Sequence, residues 1–382
     1  MPQYSQDELK NKISELFIVR ASGHHCDNQR KYPAWELKNS QLKELLSEGV
    51  GGVILLGGTT FEIQERSKKL QEWACKSLLI TADTEEGVGQ RFEGATHLAP
   101  PMAIGRLYKK NPSKALKYAE EYGYCVASQA KKIGLNWLLA PVCDVNNNSL
   151  NPVINVRAWG ENPEVVSKLI VAFHKGLSSQ NILSCAKHFP GHGDTSIDSH
   201  IDLPILNYDL RRLNEVELVP FLEAIKCGVN SIMTGHLLFP YLDEKYPASL
   251  SYEITTKLLR QKIGYEGLIV TDAMIMQSIR KQYGEQNAAL QAFLAGADLI
   301  VMPSNPYKTI RLFMQAFSSG QISSDRLEES LSRRRKAIKL ISAPSKEFEQ
   351  DKDAINPCEI ENSRHKKFSI ELIRNTLDVR NP

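Results

Sequence analysis

Eight short apolar runs recur along the 382-residue chain, each continuous rather than alternating. They fall at 16–19, 52–56, 78–81, 135–140, 182–186, 231–234, 268–271 and 299–302. A strand with one wet face alternates polar and apolar residues. An unbroken apolar run fits a strand covered on both faces, as in parallel sheets. Charged, helix-compatible stretches fill most of the gaps, at 41–49, 113–133, 163–180, 209–227, 252–263 and 285–295. Strand–helix alternation of this length predicts a parallel α/β domain, and eight units predict a closed (β/α)8 TIM-type barrel as a single domain over residues 1–342. An open doubly wound sheet is the competing architecture, but no GxGxxG follows the first run. Residues 343–382 carry many charges and few periodic apolar positions. They read as a short C-terminal extension with one helix, at 364–377.

Chemistry-bearing residues sit soon after these runs. Asp83 follows the third and Asp144 the fourth; Lys187 and His188 follow the fifth, His236 the sixth and Asp272 the seventh. In a barrel these are the C-terminal strand ends, where active sites are built. Composition removes several other classes. Lys and Arg number 47 against 44 Asp and Glu, so no concentrated basic stripe points to nucleic acid. At 42% hydrophobic residues, most of the chain can bury a core rather than stay disordered. No stretch approaches the roughly 20 apolar residues of a membrane span. The polar, charged residues 1–10 are followed by no apolar leader segment, which predicts a cytoplasmic protein. Seven scattered cysteines with no CxxC pair predict reduced thiols.

The densest segment, residues 186–200, reads AKHFPGHGDTSIDSH. Lys187, His188, His192, Asp194, Asp198 and His200 stand among Gly191, Gly193 and Pro190, which together shape a loop. The histidines lie neither on a helix-compatible stretch nor in an HExxH arrangement, so a catalytic metal is not expected. Asp198 and His200 are two apart, and a turn can bring them to one side. The carboxylate would then hold the imidazole in one tautomer and raise its proton affinity, which makes a proton-transfer unit for neutral pH.

The segment KHFPGHGDTSIDSH resembles the signature of the glycoside hydrolase family 3 β-N-acetylglucosaminidases, the NagZ-like group. The resemblance continues in GGVILL at 51–56, DTEEGVGQRF at 83–92, APVCDVN at 140–146, RAWG at 157–160 and VTDAM at 270–274. It implies a retaining exo-glycosidase on a (β/α)8 barrel that removes terminal β-GlcNAc from peptidoglycan-type fragments. By that resemblance Asp272 is the nucleophile, and His200 with Asp198 is the acid/base. Asp83, Arg91, Arg157, Lys187 and His188 bind the sugar, with His236 and Met274 near the pocket. Retention requires a nucleophile on one face of the sugar and a proton donor at the leaving oxygen, and an imidazole in the second role departs from the usual pair of carboxylates. No cofactor or metal is implied, and the expected partner is a carbohydrate. A β-glucosidase, a GlcNAc-glycoside phosphorylase and an inactive sugar-binding protein are the alternatives. Thr84, Glu86, Val88, Gly89 and Trp159 depart from the family pattern, which bears on aglycone preference more than on reaction type.

Overall fold

The computed structural model describes residues 4–199, 202–342 and 360–377. All eight apolar runs contribute strands: β1 Phe17–Ser22, β2 Gly52–Leu56, β3 Leu79–Ala82, β4 Trp137–Leu138, β5 Cys185–Phe189, β6 Ser231–Thr234, β7 Leu268–Thr271 and β8 Ile300–Val301. Every pairing is parallel. The strands form a curled five-stranded sheet, β4-β3-β2-β1-β8, and a three-stranded sheet, β5-β6-β7. Backbone hydrogen bonds also cross both gaps between the sheets. Beside β4, the Leu138 N–H donates to Leu183 O (2.8 Å) and the Cys185 N–H to Ala140 O (2.8 Å). Beside β8, the Thr271 N–H donates to Leu299 O (3.2 Å) and the Met274 N–H to Val301 O (2.9 Å).

The strand boundaries differ from the apolar runs in one place that matters. The fifth strand runs on through Lys187 and His188, which lie within it rather than after it. Hydropathy ends the run at Ala186, whereas the backbone pairing continues because both side chains find buried charge partners.

The helices are α1 Gln6–Ser14, α2 Asn39–Ser47, α3 Thr60–Trp73, α4 Pro101–Lys110, α5 Pro112–Lys132, α6 Pro163–Ser178, α7 Leu210–Glu215, α8 Leu218–Lys226, α9 Gln277–Tyr283, α10 Glu285–Ala295, α11 Pro306–Ser318, α12 Ser324–Ser342 and α13 Ser363–Leu377. A helix of wide π-type turns covers Glu253–Lys262. Local signals explain the added ones. Thr59 and Glu62 make a reciprocal capping box at the start of α3, and proline opens α4 and α11.

Two apolar layers follow. The larger lies between strands and helices. The smaller lies inside the curl and takes a residue from each strand, namely Ile18, Ile54, Leu79, Trp137, Cys185, Met233, Val270 and Val301. The Trp137 indole N–H is satisfied by Ser231 Oγ at 2.9 Å. Ala337, Ile338 and Ile341 of α12 pack against this inner layer.

Charged groups finish the N-terminal ends of the strands. Fully buried Asp298, just before β8, accepts from Arg260 Nη2 (2.7 Å), Arg333 Nη1 (3.0 Å), Ser330 Oγ (2.9 Å) and the Ile269 N–H (2.9 Å), with Arg326 at 3.6 Å. Arg334 ties Glu15 (3.1 Å) to the Gly51 and Ser77 carbonyls (2.8 and 2.6 Å), just ahead of β1, β2 and β3. Beyond α12, α13 returns to pack on α4 and α5. Its Phe368 meets Tyr118 and Tyr122 edge-on, and Arg364 pairs with Glu121 through two 2.7 Å hydrogen bonds.

Candidate active site

Opposite that sealed end, a cavity of about 500 Å³ opens over the inner apolar layer, with Ile54, Met233, Val301 and Met302 on its wall. That volume suits a small polar molecule. Asp83, Arg91, Arg157, Lys187, His188 and Asp272 all line it, as do Arg20, Trp35, His192 and Ser199.

Five charged side chains form one chain of contacts. Lys187, buried in β5, reaches Asp83 Oδ1 at 2.8 Å and Glu85 Oε1 at 2.7 Å. Arg157 donates to the same Glu85 oxygen at 2.7 Å and to Val153 O at 3.1 Å. Arg91 donates through Nε to Asp83 O at 3.2 Å, and its Nη2 lies 3.5 Å from Asp83 Oδ2. Burial alone would push the Glu85 carboxyl up, but the Lys187 and Arg157 charges overcome it and hold Glu85 well below the ordinary range. The same balance raises Lys187: burial works against its charge, and Asp83 and Glu85 more than restore it. Lys187 is therefore a fixed ammonium and Glu85 a fixed carboxylate. Glu85 Oε2 has no hydrogen-bond partner among the described residues.

A second cluster fixes the loop after β5. Asp144 is fully buried and accepts from His188 Nδ1 (2.8 Å), the His188 N–H (3.2 Å) and the His192 N–H (2.7 Å). Its carboxyl is held low because the His188 interaction outweighs the cost of burial. An ionised Asp144 can only accept, so the His188 proton sits on Nδ1. The His192 ring lies between Thr195 Oγ1 (2.8 Å from Nδ1) and Ser199 Oγ (2.9 Å from Nε2). Burial and neighbouring His188 push His192 down to about 4, so it is neutral near pH 7. Asn151 donates to the His192 and Gly193 carbonyls at 2.8 and 2.9 Å, which joins this loop to the one after β4. Gly193 is required there, because a Cβ would fall 1.6 Å from Val145 O.

Asp272 directly follows β7 and is half-buried. Its N–H donates to Thr234 O (3.0 Å), and its Oδ1 accepts from the Ala273 N–H (2.7 Å). Ser278 of α9 donates to Ser199 O at 2.6 Å, so the nucleophile-bearing segment expected from the sequence touches the loop that carries Asp198. Asp198 is half-buried on that loop and is not on the cavity wall. His200 lies outside the described residues.

His236 and Met274, expected near the pocket, are not among the residues that line it. His236 is fully buried behind the wall, bonded to Ser249 Oγ (2.7 Å) and Ala273 O (3.1 Å), where it steadies the residue after Asp272. Met274 is fully buried in the outer apolar layer. Conversely, Glu85, Asp144, His192, Arg20 and Trp35 are part of the site or its frame without having been singled out as site residues. Asp144 had a signal, its place just after the fourth run. Glu85 had its spacing of two from Asp83 and its place in the family-like segment 83–92.

Comparison with known proteins gives one consistent answer. The model of the glycosyl hydrolase family 3 N-terminal domain matches residues 8–336. "Beta-hexosaminidase A" of Pseudoalteromonas piscicida is 38% identical over 286 residues, covering 69% of this chain and 47% of that protein, so the aligned part spans about half the length of that relative. The structure of a family 3 β-N-acetylglucosaminidase from Paenibacillus sp. str. FPU-7 superposes with a TM-score of 0.83 at 30% identity, over 96% of this chain and 68% of that one. NagZ from Neisseria gonorrhoeae, solved with N-trifluoroacetyl-D-glucosamine, superposes with a TM-score of 0.73 at 25% identity, over 94% of this chain and 97% of that one. With the family model covering most of the chain and a relative above 30% identity, the protein belongs to glycosyl hydrolase family 3, through that family's N-terminal domain.

Proposed function

We propose that this chain is a retaining exo-β-N-acetylglucosaminidase that removes terminal non-reducing GlcNAc, with peptidoglycan-derived fragments as substrate in the cytoplasm. Residues 1–342 form its catalytic domain, a closed (β/α)8 barrel, and 343–382 its C-terminal extension. The hydrogen bonds across both sheet gaps support closure. The observation that carries the functional reading is that Asp272 stands on the wall of a cavity adjoining the fixed Lys187–Asp83–Glu85–Arg157 network. A sugar is a ring of hydroxyls, and preset donors and acceptors of this kind hold it without reorganisation.

In the proposed mechanism Asp83, Arg91, Arg157, Lys187 and His188 hold the sugar. The Asp272 carboxylate attacks the anomeric carbon while His200 gives its proton to the leaving oxygen. The Asp272–sugar ester forms as the glycosidic bond breaks. Water then attacks the same carbon and returns its proton to His200, and Asp272 leaves as carboxylate. Asp198 supports the imidazolium. Ser199, clamped by His192 and Ser278, anchors the backbone beside this pair.

The test is turnover of a chromogenic β-GlcNAc glycoside, with the product anomer followed by NMR. Initial release of β-GlcNAc, and a covalent adduct on the Asp272 peptide with a slow fluorosugar, are expected. Initial release of α-GlcNAc, or near-normal turnover by folded Asp272→Asn protein, would overturn the assignment.

A further inference from the structure

Lys187, Arg157 and Arg91 on the cavity wall each have a carboxylate partner. Arg20, on β1, lines the same cavity and has none: among the described residues its guanidinium makes neither an ion pair nor a hydrogen bond, and its Nε is buried without a partner. Glu36 and Asp83 are the carboxylates whose charges it feels, and Arg91 opposes them. Glu36 is buried and accepts from the Tyr32 N–H through Oε2 at 2.9 Å; its Oε1 has no hydrogen-bond partner among the described residues, and neither oxygen bonds the Arg20 guanidinium.

What Arg20 does have is aromatic cover. Its guanidinium carbon lies 4.8 Å from the Tyr32 ring centre and 5.4 Å from that of Trp35. The two rings stack on each other at 5.6 Å and 18°. The loop presenting them is tied down. Arg30 donates to the Glu36 and Asp27 carbonyls (2.6 and 2.9 Å), and the Leu37 N–H returns to Arg20 O (3.3 Å). Trp35, on the cavity wall, is nonetheless 45% exposed. Rings satisfy the face of a guanidinium and leave its edge donors unused, and that edge matches the geometry of a carboxylate or phosphate.

We propose that Arg20, held by Tyr32 and Trp35, is an anion-recognition site in the cavity, taking a carboxylate carried by the substrate or a free phosphate. The inference rests on the reading above that the cavity accepts a glycoside. A neutral ligand would leave the guanidinium edge of this partly buried cation without a bonded anion. A substrate acid supplies that partner and shares the Trp35 surface.

The test uses the full chain and two matched phenyl β-GlcNAc glycosides, one bearing a carboxylate and the other a carboxamide, at constant ionic strength. Calorimetric affinity reports on Arg20, and turnover reports separately on the hydrolase reading. The wild type should bind the carboxylate at least about tenfold more tightly than the amide, the ratio should fall to near one in Arg20→Gln, and Arg20→Lys should restore part of it. If free phosphate is the anion, the glycoside pair shows no preference, while inorganic phosphate binds the wild type and binds Arg20→Gln at least about tenfold more weakly. Equal affinities for both glycosides together with phosphate binding indifferent to Arg20 would overturn the proposal. So would equal weakening of both glycosides in Arg20→Gln, which marks a contact to sugar hydroxyls. Binding with the expected ratio but no turnover would leave the anion site standing and remove the hydrolase reading.

Discussion

The two ends of the strands both carry buried ionic clusters with an unpartnered polar atom, Arg334 Nε at one and Glu85 Oε2 at the other, yet they differ in what adjoins them. At the N-terminal end Asp298 takes four hydrogen bonds, three arginines surround it, and the apolar underside of α12 closes the layer above. At the C-terminal end one oxygen of Glu85 takes both Lys187 and Arg157 while the other has no hydrogen-bond partner among the described residues, and a cavity adjoins the network. Buried charge by itself therefore identifies neither end as functional. Charges closed over by packed apolar side chains make a fastener. Preset groups with spare capacity beside a cavity make a site that a ligand can complete.

Substitutions at the two ends should separate activity from stability. The largest effect expected is on turnover: Asp272→Asn should lower kcat on the order of 10³-fold or more while leaving the unfolding midpoint near that of the wild type. A large loss of stability instead would place Asp272 with the fasteners. At the other end, Asp298→Ala leaves Arg260, Arg326 and Arg333 without their shared carboxylate. A loss of roughly 3–5 kcal/mol in denaturant unfolding is expected, with kcat/KM per folded molecule retained. A drop in kcat/KM without destabilisation would erase the distinction between the ends.

The third prediction is a pH dependence. His192 is held near 4 in the fold and returns to about 6.5 when unfolded. Between those values the unfolded chain binds a proton that the folded chain refuses. Stability should thus fall by roughly 3 kcal/mol as pH drops from 6.5 to 4, and level off for this group below that. Unfolding measured against pH should show a shallower slope in this window for His192→Asn, and an unchanged slope would reassign the acid sensitivity. The smallest effect belongs to Arg333→Ala, which leaves Asp298 with Arg260, Ser330 and the Ile269 amide. About 1 kcal/mol is expected from the same unfolding curves, and a cost equal to that of Asp298→Ala would mean the arginines act as one unit.

Much of this contrast was legible in the residues, and the unread part has physical reasons. The eight apolar runs announced the strands because burial on both faces removes the alternation that otherwise blurs a strand. Asp83, Lys187, His188 and Asp272 were legible because the chemistry of a parallel α/β fold gathers at one end of its strands. Glu85 was not, since its importance comes from Arg157 and Lys187, which are distant in sequence and meet it only in the fold. Lys187 and His188 lay beyond the apparent end of their strand because hydropathy cannot see that Asp83, Glu85 and Asp144 make burial of such residues acceptable. His236 and Met274 lie next to the wall without forming it: His236 bonds Ser249 and the carbonyl of cavity-lining Ala273, and Met274 turns into the outer layer.

The return of α13 carries a consequence for where this protein's working part ends. Phe368 sits edge-on to Tyr122, whose hydroxyl donates to the carbonyls of Glu85 and Ala99, both at 3.1 Å. The turn that carries Glu85 is thus braced from behind by a helix lying wholly outside the stretch matched by the family model. A boundary drawn at residue 336 on family likeness alone would cut away the backing of the buried carboxylate that Lys187 and Arg157 share, while leaving every residue of the cavity wall in place.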